Sequence, residues 1–348
     1  MDWFELRYND LSLSSEQEEL KRVLRRFYEE QVPTERVRAA EPLGFDEELW
    51  MQLIGMGLTS MALPEEMGGD GAGLVDLAIV AFEHGAALAP APLIEHVVAT
   101  RLLARLDQES AIEKLTNSRE EIFALALRPA RPTVRQLVPA GAVSRNVLAL
   151  DGDTLVVSRL ESVPTLVPNQ GSTPLAYWDL SSGSCSPLIE GDLARKLYAQ
   201  AVSEWKLLTA AALVGLTERA LAVAVEFVKT RETMGVPIGS LQGVAFPLVD
   251  VAIATTGTKN LTLKAAWYSD NEPEERPDLV LAAFVAAAKA ATKGTITCQH
   301  VQGGLGFTID ADASLYFLRA KGWSVVGGDP AEDIQNVGGL LAAEAFGR

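Results

Sequence analysis

The sequence predicts a mostly α-helical protein with a small β domain near its centre. Apolar residues recur at helical spacing from residue 12 to 117 and again from residue 197 onward. Between these stretches, the chain carries short β-rich runs separated by turn residues. Because 348 residues exceed the size of one hydrophobic core, we expect two or three domains. The pattern divides the chain into residues 1–117, 118–195 and 196–348.

The first predicted helix begins at a capping box, in which Ser15 stands three residues before Glu18. One face of this helix is apolar at helical spacing, through Leu20, Val23, Leu24 and Phe27. The opposite face is charged and predicts solvated surface, at Glu19, Lys21, Arg22, Arg25 and Arg26.

The central region contains a hairpin signal. Residues 147–150 and 154–157 are β-rich, and Asp151-Gly152-Asp153 stands between them, which predicts two strands joined by a tight turn. After residue 197 the pattern is helical in long Ala-rich stretches, interrupted by an acidic turn at 270–277. The C-terminal region therefore predicts a helical bundle.

Composition favours a cytoplasmic protein. The net charge of −16 argues against nucleic acid and anionic membranes as partners. Cys185 and Cys298 are interpreted as reduced thiols, and we expect no metal site. The N-terminus lacks a basic region followed by an apolar run, so no signal peptide is predicted. Apolar windows such as 279–291 are interpreted as too short and too interrupted to span a bilayer.

Two segments of the C-terminal region predict a flavin nucleotide site. Residues 299–308 include Gly303, Gly304 and Gly306, and glycine lets a backbone lie directly against a ligand because it has no Cβ. Residues 231–242 begin with an arginine at the end of a long helical pattern, where a planar guanidinium can bind a phosphate through two hydrogen bonds.

Four segments, in this order, resemble signatures of the acyl-CoA dehydrogenase family. They are FDEELW at 45–50, PEEMGGDG at 64–71, RETMGVPIGSLQ at 231–242 and GGLGFT at 303–308. The resemblance spans the whole chain. It implies an N-terminal helical domain, a β-barrel-like middle domain and a C-terminal four-helix bundle. It also implies FAD as cofactor and oxidation of an acyl-CoA thioester to the 2,3-enoyl-CoA.

The same resemblance implies which residues bind the nucleotide half of FAD. They are Arg231, Met234, Gln242, His300, Gln302, Gly303, Gly304 and Gly306. Two of them depart from the family pattern, since Met234 replaces the usual phenylalanine and His300 the usual glutamine. The other histidines, His84 and His96, lie in Ala-rich helical pattern and are interpreted as packing or surface residues.

The catalytic base is missing from both places where the family carries a glutamate. These positions fall on Gly327 and Trp205 in this chain. Glu204 is the nearest candidate base, but one residue along a helix rotates a side chain by about 100°. The other interpretation of Glu204 is an exposed or capping carboxylate near the start of a helix.

The flavin-ring side also departs from the family. Residues 125–132 stand where relatives carry Thr-Glu-Pro and Gly-Ser-Asp motifs, and neither motif is present. The leading hypothesis is therefore one subunit of a heteromeric α2β2 acyl-CoA dehydrogenase, with the catalytic glutamate on a homologous partner. A steroid side-chain CoA thioester is the suggested substrate, and an electron-transfer flavoprotein the suggested acceptor.

Two alternatives remain open from the sequence. One is a self-sufficient homo-oligomeric acyl-CoA dehydrogenase that uses Glu204 or another carboxylate such as Asp329. The other is a flavin-free helical scaffold. Retention of Arg231, Gln242 and the glycines argues against the scaffold, because a scaffold has no physical reason to keep a bare backbone there.

Overall fold

The computed structural model describes residues 11–106, 120–131, 134–180 and 185–346. The α-helices are α1 (Ser15–Gln31), α2 (Thr34–Ala39), α3 (Glu47–Gly55), α4 (Leu74–Ala86), α5 (Leu93–Ala104), α6 (Asp192–Thr230), α7 (Gln242–Asn271), α8 (Leu279–His300), α9 (Asp312–Trp323) and α10 (Pro330–Phe346). Short 3-10 helices cover Glu65–Met67, Ile238–Ser240 and Gly303–Phe307. The predicted mostly helical fold with a small central sheet is confirmed.

The strands are β1 (Phe123–Leu125), β2 (Gln136–Val138), β3 (Asn146–Asp151), β4 (Thr154–Arg159), β5 (Ala176–Trp178), β6 (Cys185–Glu190), β7 (Glu232–Thr233) and β8 (Val236–Pro237). A four-stranded sheet has the order β1-β3-β4-β6, with β1 parallel to β3 and the other neighbours antiparallel. The pairs β2–β5 and β7–β8 are antiparallel. Asp151 pairs with Thr154, so the predicted hairpin is confirmed, with Gly152 at a φ of 62° in its two-residue loop.

The described chain forms two compact units built from separated segments. The helical unit groups residues up to 36 with 74–89 and 206–348, and the mixed unit groups 37–73 with 90–205. The boundary at 205/206 falls within α6. The three sequence-based domains stay a prediction, and the boundary predicted at 117 lies outside the described residues.

Within the helical unit, α4 and α6 approach each other closely at glycines. A Cβ atom added at Gly215 would overlap the carbonyl oxygen of Phe82, and one added at Gly85 would overlap that of Ala212. Close contact between the two helix backbones therefore requires glycine on both sides. Sequence spacing alone does not reveal this crossing.

The start of α1 differs from the sequence prediction by one residue. Ser14, rather than Ser15, is the N-cap, and it forms the capping box with Gln17. Of the predicted apolar face, Leu24 is buried, while Val23 is exposed. Arg25, assigned to the solvated face, is half exposed but forms an ion pair at 2.8 Å with the buried Glu83 on α4.

The two histidines assigned to packing are both buried. In the helical unit, His84 Nδ1 lies 3.0 Å from the hydroxyl of Tyr28. In the mixed unit, the His96 ring stacks edge-to-face on Trp50, and its Nδ1 accepts a hydrogen bond from the Phe123 amide at 3.2 Å. The packing interpretation is confirmed for both.

The helix at 279–300 is longer than the apolar window considered in the sequence. Helices α6 and α8 are both long and apolar enough, by length and composition alone, to cross a membrane. The interpretation that the 279–291 window is too short was therefore wrong. The finding is weak evidence for a membrane span, because core helices of globular proteins meet the same criteria, and 67% of the apolar window in α6 is buried.

Candidate functional site

The Arg231 segment forms a small hairpin after α6. Strands β7 and β8 pair across the loop residues Met234 and Gly235, which have φ angles of 52° and 79°. The backbone of Arg231 is fixed at both ends, since its amide donates to Phe227 and its carbonyl accepts from Ile238 at 2.8 Å. The Arg231 side chain is exposed, and Met234 is 98% exposed. The hairpin therefore holds a rigid backbone and presents its side chains outward.

The glycine turn at Gly303–Phe307 contains two different kinds of glycine. At Gly303, with a φ of 61°, and at Gly304, an added Cβ would meet no atom within 4 Å. At Gly306 an added Cβ would overlap the carbonyl of Gln299, whose side chain donates to the Gly306 carbonyl at 3.0 Å. Gly303 and Gly304 thus leave an open backbone surface. Gly306 is required by the folding of the turn itself, and its assignment as a ligand contact stays a prediction.

The remaining predicted nucleotide residues stand at helix ends. Gln242 is the first residue of α7, and His300 is the last residue of α8; both are exposed. Within the described part of the chain, no hydrogen bond or ion pair engages the side chains of Arg231, Gln242 or His300. Gln302 differs, because its amide donates to the carbonyl of Cys298 at 3.2 Å.

All eight predicted nucleotide residues belong to the helical unit. They lie in two separate segments. The hairpin follows α6 and leads into α7, whereas the glycine turn packs on α8 and α9. A solvent-facing guanidinium, uncommitted amide and imidazole groups and a bare glycine backbone fit a phosphate-bearing ligand such as FAD. The side chains of Arg231, Gln242 and His300 are exposed.

Glu204 is neither exposed nor a helix cap, which corrects that interpretation. It lies inside the long helix α6 and is 3% exposed. Arg101 donates from Nε to its Oε2 at 3.1 Å, and Arg105 donates from Nη2 to its Oε1. Both arginines project from α5 or its end. The geometry gives Glu204 a structural role as the buried anion that holds two arginines.

Trp205, at the second base position, is also buried, and the structure brings a carboxyl group to it. The indole Nε1 of Trp205 donates to Oε1 of Glu95 on α5 at 3.3 Å. Burial raises the pKa of Glu95 above its usual value, an effect that the hydrogen bond from Trp205 opposes. Sequence reasoning missed Glu95, because 110 residues separate it from Trp205.

The first base position holds Gly327, which has no side-chain carboxylate. Gly327 precedes Gly328, which has a φ of 123°, a backbone conformation that favours glycine over residues with a Cβ. The neighbouring Asp329 accepts a hydrogen bond from the Ala331 amide at 2.9 Å, just ahead of the α10 first turn. Asp329 is therefore a helix cap, and its oxygen is used within the chain.

Residues 126–131, which follow β1 in the stretch predicted to contact the flavin ring, use backbone groups in hydrogen bonds within the mixed unit. The amides of Ala126 and Ala130 donate to Leu148 and Leu150 on β3. The Tyr198 hydroxyl donates to the Ala126 carbonyl at 2.7 Å. Pro132, the last residue of this predicted ring-side stretch, lies outside the described residues. The described part of the stretch offers no serine or threonine hydroxyl to a ligand.

Comparison with known families identifies both helical regions. The model for the acyl-CoA dehydrogenase N-terminal domain matches residues 14–111, and that for the acyl-CoA dehydrogenase C-terminal domain matches residues 197–336. Acyl-CoA dehydrogenase FadE27 of Mycobacterium tuberculosis is 30% identical over 86% of this chain and 89% of its own length. Acyl-CoA dehydrogenase IpdE2 of Mycolicibacterium smegmatis is 27% identical over 96% of this chain and all of its own length.

Solved structures share the fold over nearly the whole chain. The ChsE4–ChsE5 complex from Mycobacterium tuberculosis contains a chain with a TM-score of 0.83 and 26% identity, covering 96% of this chain and 99% of that one. A chain described as the Tcur3481-Tcur3483 steroid ACAD G363A variant gives a TM-score of 0.85 at 23% identity, with 96% and 99% coverage. That second likeness shows the fold alone.

Proposed function

Because this chain belongs to the acyl-CoA dehydrogenase family, we infer that it is one subunit of a heteromeric, FAD-dependent acyl-CoA dehydrogenase. The assembly is an α2β2 complex in the cytoplasm. This chain contributes the nucleotide half of each FAD site, and a homologous partner subunit contributes the ring contacts and the catalytic glutamate.

One observation carries this proposal: the predicted nucleotide-binding side chains of Arg231, Gln242 and His300 face outward, while the two base positions are occupied by Trp205 and Gly327 in place of a glutamate. Arg231, Gln242 and His300 have no side-chain partner among the described residues. Exposed polar side chains without a partner among the described residues, together with the open backbone at Gly303 and Gly304, leave groups available to a ligand that another subunit completes. Glu204, next to the second base position in the sequence, is committed to Arg101 and Arg105.

The reaction is oxidation of an acyl-CoA to the 2,3-enoyl-CoA. A carboxylate of the partner accepts the α-proton, and bound FAD supplies the acceptor for the β-hydride. In this chain, Arg231 would hold the FAD phosphates, and Gln242 and His300 would donate to the nucleotide. The open turn at Gly303 and Gly304 lets the FAD lie against the backbone.

The named relatives support a substrate class and a partner. FadE27 and IpdE2 are acyl-CoA dehydrogenases, and ChsE4–ChsE5 is a complex of two differently named chains. They support an acyl-CoA as the substrate class. Within that class, a steroid side-chain CoA thioester is the proposed substrate. An electron-transfer flavoprotein is the proposed electron acceptor.

The second candidate function is a self-sufficient homo-oligomeric enzyme. The position and pKa of Glu95 favour it. Glu95 contacts Trp205, which occupies a base position, and it is a carboxyl group with a raised pKa. If this chain carries its own base, Glu95→Gln should lower kcat by several orders of magnitude. Unchanged kcat in the Glu95→Gln complex assigns the base to the partner.

The test of the leading proposal is the visible absorbance and mass of the chain, purified alone and co-expressed with the product of the adjacent gene. The expected result is a colourless chain alone and a yellow pair with about one flavin per heterodimer. A yellow, catalytically active homo-oligomer would overturn the heteromeric proposal. A colourless pair would favour a flavin-free scaffold.

A further inference from the structure

His300 stands where helix α8 ends and the glycine turn begins. It is the last residue of α8 and its side chain is exposed, and no hydrogen bond or ion pair engages that side chain in the part of the chain that the structure describes. The last carbonyl groups of a helix carry partial negative charge, so the end of α8 is unfavourable for an anion unless a cation stands beside it. A positive charge at this position therefore favours a phosphate bound at the turn.

The other polar side chains of this segment are used within it. Their hydrogen bonds run to backbone carbonyl groups, from Gln299 to Gly306, from Gln302 to Cys298 and from Thr308 to Leu305. Gly303 and Gly304 leave their backbone open, since an added Cβ there meets no atom within 4 Å. Among residues 299–308, His300 is thus the polar side chain left to meet a ligand that lies against the bare glycines.

His300 is also the charged group that an anion would meet in this segment. Residues 299–308 contain no other charged side chain, and the first turn of α7, which shares a groove with the last turn of α8, contains none. Burial raises the pKa of the neighbouring Cys298 thiol to about 12, so that thiol stays neutral. The charged side chains toward this end of the neighbouring elements are Lys293 on α8, Asp250 on α7, Asp310 and Asp312 before and at the start of α9, and the paired Glu226 and Lys229 on α6.

The FAD pyrophosphate has a fixed charge, whereas imidazole does not. The pyrophosphate is a diester whose negative charges do not change near neutral pH, but imidazole loses its proton between about pH 5 and 8. We propose that His300 binds the FAD pyrophosphate as an imidazolium ion, so that the complex holds FAD more tightly at acidic than at alkaline pH. This inference rests on the proposed function, because it requires the nucleotide of FAD to lie at the glycine turn.

Histidine gives this position a property that the usual glutamine lacks. A glutamine amide donates a neutral hydrogen bond at every pH, whereas an imidazolium donates a charge-assisted bond that is roughly twice as strong. Bound phosphate stabilises the charged ring. The added affinity is therefore fully present at pH values where the unliganded ring is already protonated, and it is lost as pH rises through the value at which the FAD-bound ring loses its proton.

A dilution series of the purified complex at pH 5.5, 6.5, 7.5 and 8.5 tests the proposal. Released FAD is measured by its fluorescence, which gives a dissociation constant at each pH, and size-exclusion chromatography verifies that the complex stays assembled. For the wild-type complex, the dissociation constant should rise roughly tenfold across the series, as expected when a charged hydrogen-bond donor becomes a neutral one.

Three variants assign this pH dependence to the charge of His300. His300→Gln should bind FAD with a nearly constant dissociation constant, close to the wild-type value at pH 8.5. His300→Arg carries a permanent cation and should bind FAD tightly at all four pH values. Lys293→Gln removes an exposed cation earlier on α8 and should keep the wild-type pH dependence. The proposal is overturned by a wild-type constant that does not change with pH, by an equal pH dependence in His300→Gln, or by its loss in Lys293→Gln.

Arg231→Ala separates this inference from the proposed function. Weaker FAD binding in Arg231→Ala, together with an equal pH dependence in wild type and His300→Gln, would keep the nucleotide site and overturn the role of the His300 charge. Unchanged FAD binding in both Arg231→Ala and His300→Gln would remove the nucleotide from this surface and overturn both proposals, as would a complex that binds no FAD. A constant His300→Gln profile beside a pH-dependent wild-type profile supports both.

Discussion

Arg101 donates a hydrogen bond across 3.1 Å to Oε2 of Glu204, and this contact joins α5 to α6 in the mixed unit. The Arg101 side chain is 12% exposed and that of Glu204 is 4% exposed, so water screens the pair weakly. Arg105 binds the other carboxylate oxygen. A carboxylate held this way stabilises the fold and has no free oxygen directed at a substrate.

Glu204→Gln should therefore destabilise the protein without abolishing catalysis. Removing the charge leaves two guanidinium groups with no buried anion, which costs about 3 kcal/mol in the free energy of unfolding. Urea denaturation measures this change. Glu218→Gln on the same helix breaks the partly exposed pair with Lys259 and should cost less than about 1 kcal/mol.

Activity of the Glu204→Gln complex distinguishes the two roles. We expect kcat within a few-fold of wild type when the assay is run well below the melting temperature. A fall of several orders of magnitude with unchanged stability would instead make Glu204 the catalytic base.

Arg231→Ala should weaken FAD binding by the complex by roughly 10- to 100-fold, because hydrogen bonds to charged groups contribute about 1.5 to 3 kcal/mol. The side chain is exposed, so folding should be unaffected. Flavin content after gel filtration and the circular dichroism melt measure the two effects. Lys229→Ala, two residues earlier on the surface of α6, is the matched control and should retain flavin. Equal flavin content in both variants would remove Arg231 from the site.

Gly215→Ala should destabilise the helical unit by about 1 to 3 kcal/mol or more, because its new methyl group overlaps the Phe82 carbonyl. The helices α4 and α6 would have to separate to admit it. Gly338→Ala on α10 is the control, since an added Cβ there meets nothing within 4 Å. Alanine should be neutral or favourable at that helical position. Equal melting temperatures for the two variants would contradict the close crossing.

His96 should make stability depend on pH below about 6.5. Burial lowers the pKa of His96 to about 3 in the folded protein, against an ordinary value of 6.5. Between these values the unfolded state binds more protons, so the free energy of unfolding falls as pH falls, by at most about 1.4 kcal/mol per pH unit from this group. The measurement is urea denaturation at pH 7, 6, 5 and 4.

His96→Gln supplies the comparison. Glutamine does not titrate, so the variant should lose that part of the slope between pH 6.5 and 4, while other groups contribute equally to both proteins. Identical slopes in the two proteins would show that His96 is protonated in the folded state, contrary to its buried contact with the Phe123 amide.

Much of this fold was predictable because its signals are local. Helical spacing, the Asp151-Gly152-Asp153 turn and the nucleotide motifs are all encoded within short windows, and the structure confirms the helices and the hairpin. The capping box shows the limit of a local signal. Ser14 with Gln17 and Ser15 with Glu18 both satisfy the pattern, and the structure uses the first.

Tertiary structure decided what each conspicuous residue does. Glu204 meets Arg101 across 103 positions of sequence, and Trp205 meets Glu95 across 110. Gly303 and Gly306 look alike in the sequence. In the folded turn, an added Cβ would overlap the Gln299 carbonyl at Gly306 and would meet nothing within 4 Å at Gly303. The sequence by itself determined the helical and β segments and the nucleotide motif, because these depend on neighbouring residues. Burial and pairing arise only when distant segments meet, and those contacts separate carboxylates that are bound to other side chains from the exposed residues predicted to bind the nucleotide.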